Sequence, residues 1–225
     1  MIENVRVIGS GRVGSAVAAR LAERGMGVRQ DEDGAVARVD VVLLCVPDRA
    51  IADVARAIPN GPWVAHVSGA TPLSALDPHR RRFTVHPLQT FARTRGPEQL
   101  DGVYAAVTAE TEEARATGFE LALTLGLRPF ELADDARALY HAGAAIASNY
   151  LVTLYRAAAR LFEAAGAPPE ALVPLMQRTI ENGFELTGPI SRGDWTTVDA
   201  HLRAIHAEQP DLERMYRVLA EATAP

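Results

Sequence analysis

A polar stripe interrupts an otherwise apolar segment in the second half of the chain. The segment ALYHAGAAIASNYL, residues 138–151, is typical of a helix, yet it contains His141, Ser148 and Asn149. At about 100° per residue, positions 141, 145, 148 and 149 fall within one sector of a helix. The stripe therefore indicates either one wall of a binding site or a satisfied polar patch in a core.

Two more polar side chains follow apolar strands in the first half of the chain. Ser68 follows the strand in WVAHVSGATPLSAL, and His86 ends the strand in RRFTVHPLQTF, with Gln89 three residues further on. Strands of this kind in a parallel sheet end at the same edge, so Ser68 and His86 are expected to lie close together. We predict catalytic roles for both and a substrate-binding role for Gln89. The alternative for His86 is a histidine that caps a loop.

The first 25 residues contain a glycine pattern that fits phosphate binding. An apolar strand at residues 5–8 precedes Gly9, Gly11 and Gly14, and an amphipathic helix is expected at residues 13–23. In the G-x-G-x-x-G motif the first glycine forms the tight turn and the second lets the backbone approach a pyrophosphate. The third lets the helix pack on the strand, and the helix N-terminus attracts the anion. We predict a dinucleotide site whose contacts come from Gly9, Ser10, Gly11, Arg12, Val13 and Gly14.

The preference between NAD and NADP depends on the second strand. Asp31 lies 17 residues after Gly14, close to the position of an acidic ribose ligand, whereas Arg29 at the expected strand end can pair with a 2′-phosphate. A third reading is a solvated acidic turn. We predict NADP, or else NAD. Val46 and Pro47 follow a strand buried on both faces and are also expected to contact the cofactor, with Ser68 and His86 near its nicotinamide.

The order of elements predicts two domains. Strands and helices alternate up to about residue 133, as in a doubly wound α/β sheet, and helices are expected after it at residues 134–165, 169–185, 194–207 and 211–221. We therefore predict a Rossmann-like dinucleotide-binding domain at 1–133 and an all-helical domain for substrate binding and dimerisation at 134–225.

Charge and composition exclude several partners. The formal net charge of −5 disfavours nucleic acid and anionic membranes, and no apolar run is long enough to cross a bilayer. The single Cys45 cannot form an internal disulfide, and the N-terminus lacks a signal-peptide pattern, so we expect a cytoplasmic protein. His201 and His206 are spaced poorly for one helical face, so no metal site is expected.

Three motifs carry a resemblance to a known family. HPLQTF, YHAGAAIASNYLVTL and LTGPISRGD resemble the bacterial proteins that join a Rossmann-like domain to the domain of unknown function 2520. These belong to the 6-phosphogluconate dehydrogenase-like superfamily, with the pyrroline-5-carboxylate and ketopantoate reductases. The resemblance covers the whole chain. It implies an NAD(P)-dependent oxidoreductase that dimerises through its helical domain.

The sequence departs from those reductases at one important position. Asn149 matches an asparagine of ketopantoate reductases and 3-hydroxyacid dehydrogenases, but their catalytic lysine, four residues earlier, is replaced by Ala145, and residues 133–225 contain no lysine. A ketone substrate needs another proton donor, for which His141 is the candidate, whereas an imine can arrive protonated. The other possibility is that the chemistry has been lost.

The second helical motif contributes a cation. Arg192 lies in a loop before Asp194, a plausible helix N-cap, and can bind a substrate carboxylate. It can equally bond to backbone carbonyls or serve the partner's site in a dimer.

The favoured function is reduction of a small keto or imino acid, with a dehydrogenase working in the opposite direction left open. The alternative is a non-catalytic NAD(P)-binding or sensing protein.

Overall fold

The computed structural model describes residues 1–30 and 39–224, which form two compact units, 1–145 and 146–225. The first unit contains a seven-stranded sheet of order β2-β1-β3-β4-β5-β6-β7. The strands are β1 (Asn4–Ile8), β2 (Gly27–Gln30), β3 (Val41–Leu44), β4 (Trp63–His66), β5 (Arg82–Pro87), β6 (Tyr104–Thr108) and β7 (Arg128–Glu131).

The helices in the described part of this unit are α1 (Arg12–Glu23), α2 (Ile51–Arg56), α3 (Glu112–Thr124) and α4 (Arg137–Ala145). The strand order reverses direction between β1 and β3, so the loops that follow these two strands flank a switch point. This architecture confirms the predicted Rossmann-like doubly wound sheet followed by a helical region.

Apolar side chains cover both faces of the sheet. All four residues of β3 are buried. Val41 and Leu43 contribute to one core with α1 and α3, and Val42 and Leu44 contribute to another with α2. Because successive strand residues point to opposite faces, a continuous apolar run fits a strand covered on both sides.

One strand pair breaks the parallel pattern. β6 is antiparallel to β5, whereas every other adjacent pair is parallel. The connection between β5 and β6 contains a short 3-10 turn, Pro97–Leu100, and no helix that could cross the sheet. The chain therefore returns beside β5 instead of crossing over.

The second unit is helical. It begins with a π-helical turn, Ile146–Tyr150, and continues with α5 (Leu151–Ala164), α6 (Leu172–Glu181), α7 (Trp195–Glu208) and α8 (Glu213–Thr223). Gly166, with φ 73°, follows the end of α5, and the Asp194 carboxylate caps α7 by accepting from the Thr197 N–H at 3.1 Å. Both were predicted as helix boundaries.

The helix predicted at 134–165 is present, but the sequence did not reveal the π-helical turn within it. The structure has a 3-10 turn at Asp134–Ala136, then α4, then the π-helical turn, and only then α5. A π turn winds the chain less per residue than an α-helix. Angles calculated for a straight α-helix therefore do not apply beyond Ala145, and the single face assigned to positions 141–149 lacks that basis.

The division into units lies between Ala145 and Ile146, whereas the sequence prediction placed the domain boundary before residue 134. Arg137 gives the physical reason. Its side chain is 1% exposed and bonds to residues of β5 and β6, so the first helix of the predicted helical domain packs with the sheet.

No helix among residues 1–30 and 39–224 is long and apolar enough to span a membrane.

Candidate functional site

The glycine turn after β1 has the geometry that its spacing predicts. A Cβ atom built on Gly9 would lie 2.4 Å from the carbonyl oxygen of Cys45, and one on Gly14 would lie 1.9 Å from the carbonyl oxygen of Gly9. A Cβ atom on Gly11 would meet nothing within 4 Å. Two glycines are thus required by packing, and the third leaves open the space that a pyrophosphate needs.

The N-terminus of α1 is suited to an anion. Gly11 is its N-cap, no side chain caps it, and its first turn contains no acidic residue. By contrast, the Thr111 hydroxyl caps α3, which has Glu112 and Glu113 in its first turn. The N–H groups and positive dipole end of α1 therefore remain available to a ligand.

Positive charge surrounds this turn. A cavity of about 250 Å³ borders it. The arginines that line the cavity are Arg12, Arg93 and Arg95. The loop bearing the last two is held by Gln99, a 2% exposed residue whose amide nitrogen donates to the carbonyls of Ala92, Arg95 and Gly96.

The end of β2 adds a contact that the sequence did not reveal. The Gln30 amide nitrogen donates to the Gly9 carbonyl at 3.2 Å, so Gln30, not Arg29, touches the glycine turn. Arg29 is exposed on this edge strand, on the opposite side of the pleat from Gln30. Asp31, the predicted ribose ligand, lies outside the described residues.

The loop after β3 lies at the switch point beside the glycine turn. Val46 is half-buried and Pro47 is exposed, and they follow Cys45, whose carbonyl limits the space at Gly9. Both predicted cofactor contacts therefore lie at the edge of the sheet where ligands bind in open α/β folds.

Ser68 stabilises the loop after β4. Its hydroxyl oxygen accepts from the N–H groups of Ala70 and Thr71 at 3.3 and 3.0 Å, and it lies 2.9 Å from the Thr71 hydroxyl. The side chain is 8% exposed. These contacts give Ser68 a turn-forming role, and a direct catalytic role for it stays a prediction.

Two of the predicted catalytic residues, His86 and His141, lie close together. Their ring centroids lie 6.2 Å apart, and a Cβ atom built on Gly69 would lie 2.7 Å from His141 Cδ2 and 2.8 Å from His86 Nε2. His86 is half-buried at the end of β5, and His141 is exposed on α4. The two imidazoles and the backbone of Gly69 form a polar cluster at the same edge of the sheet as the glycine turn.

Tyr140 completes this cluster. Its hydroxyl lies 2.9 Å from His86 Nδ1, and its ring packs edge-on against that of Phe130, with centroids 6.0 Å apart. Sequence reasoning missed Tyr140, although it precedes His141 directly in the same motif.

Burial sets the protonation of these groups. It lowers the pKa of His86 to about 4, with positive charge on His141 and Arg137 acting in the same direction. Burial raises the pKa of Tyr140, although Arg137 opposes this. At neutral pH the His86 imidazole is uncharged and the Tyr140 phenol keeps its proton.

A buried arginine anchors the cluster. The Arg137 guanidinium donates to the hydroxyls of Thr84 and Thr108 at 2.8 and 3.0 Å and to the Ser68 carbonyl. It thus ties the start of α4 to β5, β6 and the loop after β4. Its pKa is lowered by burial, and the carboxylate of Asp134 lies 3.9 Å away. Sequence reasoning did not identify this residue.

Gln89 supports the loop after β5. Its amide nitrogen donates to the Gln99 carbonyl at 2.9 Å, and its amide oxygen accepts from the Thr90 N–H at 2.8 Å. Both ends of the amide are therefore engaged by the protein. The predicted substrate contact of Gln89 stays a prediction.

Two predicted site residues belong to the second unit. Asn149 is exposed within the π-helical turn, with its amide oxygen 3.3 Å from the Ser148 hydroxyl. Arg192 is exposed at the end of a 3-10 turn, Ile190–Arg192, before Gly193.

Among residues 1–30 and 39–224, no group of three or more His, Cys, Asp or Glu side chains is arranged to hold a metal ion.

The sheet order, the glycine turn and the helical C-terminal unit define a Rossmann-like fold followed by a helical region. Residues 103–223 match the model of the family described as domain of unknown function (DUF2520), and the chain belongs to this family. The predicted family is thereby confirmed. None of the curated protein sequences matches the chain.

Several solved structures share the whole fold. A candidate NADP oxidoreductase from Bacteroides fragilis has a TM-score of 0.80 at 22% identity, covering 99% of this chain and 98% of its own. A Thermotoga maritima protein has a TM-score of 0.71 at 23% identity, covering 97% and 98%. A reductive aminase from Aspergillus terreus, in complex with NADPH and ethyl-5-oxohexanoate, has a TM-score of 0.70 at 13% identity, covering 99% and 93%. At these identities the similarity establishes the fold.

Proposed function

We propose that this protein is an NAD(P)-dependent oxidoreductase that reduces a small keto or imino acid. The observation that carries the proposal is that one edge of the sheet presents both an open glycine turn at Gly11 and the histidine pair His86 and His141. A nicotinamide dinucleotide needs the first for its phosphates, and its substrate needs polar groups of the second kind.

The residues at the switch point fit a dinucleotide. Gly11 has free space, α1 has an uncapped N-terminus, and Arg12 and Arg93 add positive charge. When bound, the nicotinamide would supply the hydride. Val46 and Pro47 would lie beside it, and His86 and His141 would bind the carbonyl oxygen or imine nitrogen of the substrate. The NADPH of the structurally similar reductive aminase supports the choice of cofactor.

The choice of an acid as substrate is supported by Arg192. The exposed guanidinium after α6 offers a partner for a carboxylate. The 23 basic residues of the chain are all arginines, so no lysine can act as the proton donor or form a Schiff base with a carbonyl substrate. The candidate proton donor in a ketone reduction is His141, because the His86 imidazole is uncharged at neutral pH and can offer only a hydrogen bond.

The second candidate function is a non-catalytic NAD(P)-binding or sensing protein. Ala145 occupies the position of the catalytic lysine in related reductases, and this observation favours the alternative. The two proposals share the cofactor site and differ only at the histidine pair.

Titration calorimetry with NADPH and NADH tests the shared part, because binding of neither at millimolar concentration would exclude both functions. A screen of keto and imino acids with NADPH then separates them. For an enzyme, we expect His141→Ala and Asn149→Ala to lower turnover by about 10²-fold or more. His206→Ala is the matched control, because His206 is exposed on α7 and pairs with Glu213. Turnover that survives both substitutions in folded protein would show that the polar stripe is structural.

A further inference from the structure

The two nitrogens of His86 have different surroundings. Nδ1 lies 2.9 Å from the Tyr140 hydroxyl. Nε2 has no hydrogen-bond partner among residues 1–30 and 39–224, and it faces the backbone of Gly69, where a built Cβ atom would lie 2.8 Å away. Nδ1 is therefore engaged by Tyr140, whereas Nε2 lies next to Gly69 without a hydrogen-bond partner in the described part of the chain.

The protonation of the pair follows from its surroundings. His86 is neutral near pH 7, so it has one N–H, and the Tyr140 phenol has its own proton. Within the described residues, His86 Nδ1 is the single hydrogen-bond acceptor in contact with the Tyr140 hydroxyl. If the phenol donates to Nδ1, the imidazole proton must be on Nε2.

Packing fixes the phenol in this orientation. The Tyr140 ring contacts that of His86 edge-on at 5.5 Å and that of Phe130 at 6.0 Å between centroids. Arg137, one helical turn earlier, is clamped to Thr84, Thr108 and the Ser68 carbonyl. Because α4 is held at this point, the Tyr140 oxygen stays next to His86 Nδ1.

We propose that Tyr140 is a positioning residue that holds His86 in its Nε2–H tautomer, so that the N–H of the nitrogen not bonded to Tyr140 is available next to the His141 ring. This N–H donates a hydrogen bond to the substrate. The substrate role rests on the proposed function, whereas the tautomer does not. An N–H donor needs an acceptor with a free lone pair, which a carbonyl oxygen or a neutral imine nitrogen has and a protonated iminium lacks, so the structure assigns a carbonyl or a neutral imine to this site.

Nuclear magnetic resonance of protein labelled with ¹⁵N at its six histidines reads the tautomer directly, without any ligand. His86→Asn assigns the signal. At pH 7.5 we expect the wild-type His86 signals to show a protonated Nε2 and an unprotonated Nδ1. In Tyr140→Phe we expect a mixture of tautomers and a raised His86 pKa, because a hydrogen bond to the neutral imidazole is lost.

A matched control exists in the second unit. His201 Nδ1 lies 2.7 Å from the Tyr216 hydroxyl, with the rings edge-on at 5.9 Å. Tyr216→Phe removes the same type of contact far along the chain, and we expect it to leave the His86 signals unchanged. A change of equal size in both variants would indicate a general effect on the fold and would overturn the assignment.

The role in turnover is measured with the substrate found in the screen. We expect Tyr140→Phe to lower kcat about 10²-fold while the Kd of NADPH stays within a factor of about two. A wild-type His86 protonated on Nδ1, or normal turnover in Tyr140→Phe, would overturn the proposal. Failure of the wild-type protein to bind NADPH would instead overturn the proposed function, and the tautomer would still be decided by the spectra.

Discussion

The ring centroids of His86 and His141 lie 6.2 Å apart with their planes at 70°. Both rings lie within 3 Å of the position that a Cβ atom on Gly69 would occupy. They are 55 positions apart in the sequence and come from a strand end and a helix. Arg137 brings these elements together through its bonds to β5, β6 and the loop after β4. The buried arginine is thus a condition for the histidine pair.

This arrangement predicts that Gly69→Ala impairs turnover without unfolding the protein. The added Cβ atom would lie 2.7 Å from His141 and 2.8 Å from His86, so at least one ring must shift. Displacement of a substrate-binding group by about 1 Å can cost about 10²-fold in rate. Steady-state kinetics measures the loss, and thermal unfolding checks the fold. Wild-type kinetics in this variant would mean that the cluster does not contact the substrate.

The glycine turn predicts opposite outcomes for two neighbouring substitutions. Gly11→Ala fills open space and should weaken NADPH binding by about 10-fold or more while leaving stability unchanged, because the Cβ atom takes the place of a phosphate. Gly14→Ala puts a Cβ atom 1.9 Å from the Gly9 carbonyl and should destabilise the fold by about 1–3 kcal/mol.

Calorimetry and urea unfolding on both variants separate the two effects. The same loss of stability in both would show that Gly11 is structural and would remove it from the cofactor site. Unchanged NADPH affinity in a stable Gly11→Ala protein would do the same.

Cofactor preference is expected to depend on Arg29. If its exposed guanidinium binds a 2′-phosphate, Arg29→Ala should weaken NADPH by about 1.5–3 kcal/mol, as a charge-assisted hydrogen bond does, and leave NADH unchanged. Arg80→Ala is the control, because Arg80 is exposed and precedes β5 at the opposite end of the sheet. Equal losses for both nucleotides would exclude a role in discrimination.

The sequence predicted the elements whose patterns are local. The glycine turn, the strand β3 covered on both faces and the Asp194 cap each depend on a few adjacent residues, and each has the predicted geometry. The antiparallel pairing of β6 was not predicted, because strand direction depends on the path of the preceding connection and not on residue pattern.

The contacts of the site were harder to predict. Tyr140 and His86 meet over a separation of 54 positions, and no periodicity encodes such a partner. The π-helical turn at Ile146–Tyr150 was missed because nothing in its residues, IASNY, distinguishes π-helical from α-helical winding. Ser68 and Gln89 have the expected polar groups, but the loop itself uses them.

Stability is expected to fall in mild acid through His66. This residue is fully buried, and burial lowers its pKa from the ordinary value of 6.5 to about 4. The unfolded chain therefore takes up a proton below pH 6.5 that the folded protein binds only near pH 4. Stability is lost as the pH falls through this window, by up to about 3 kcal/mol. Urea unfolding at pH 7, 6 and 5 measures it. His86, whose pKa burial also lowers to about 4, adds a loss of the same sign, so His66→Asn should remove about half of the dependence. An unchanged slope would contradict the assignment.

The helical unit is expected to associate with a second copy. Its buried core is small, with Ala157, Ile205 and Leu212 at its centre, while Leu175 and Phe184 are 60% and 72% exposed. Phe184 has a φ of 62°, a conformation that costs free energy for a bulky residue and persists when surrounding contacts stabilise it. Exposed apolar surface of this kind is typical of an interface.

Light scattering at micromolar concentration should therefore give about twice the chain mass of 24.2 kDa. Leu175→Glu combined with Phe184→Glu should shift the mass towards the monomer, because burying two carboxylates at an apolar interface is unfavourable. Leu123→Glu is the matched control, since Leu123 is 61% exposed but lies on α3 of the first unit. A wild-type monomer, or dissociation by the control substitution alone, would rule out an interface centred on the helical unit.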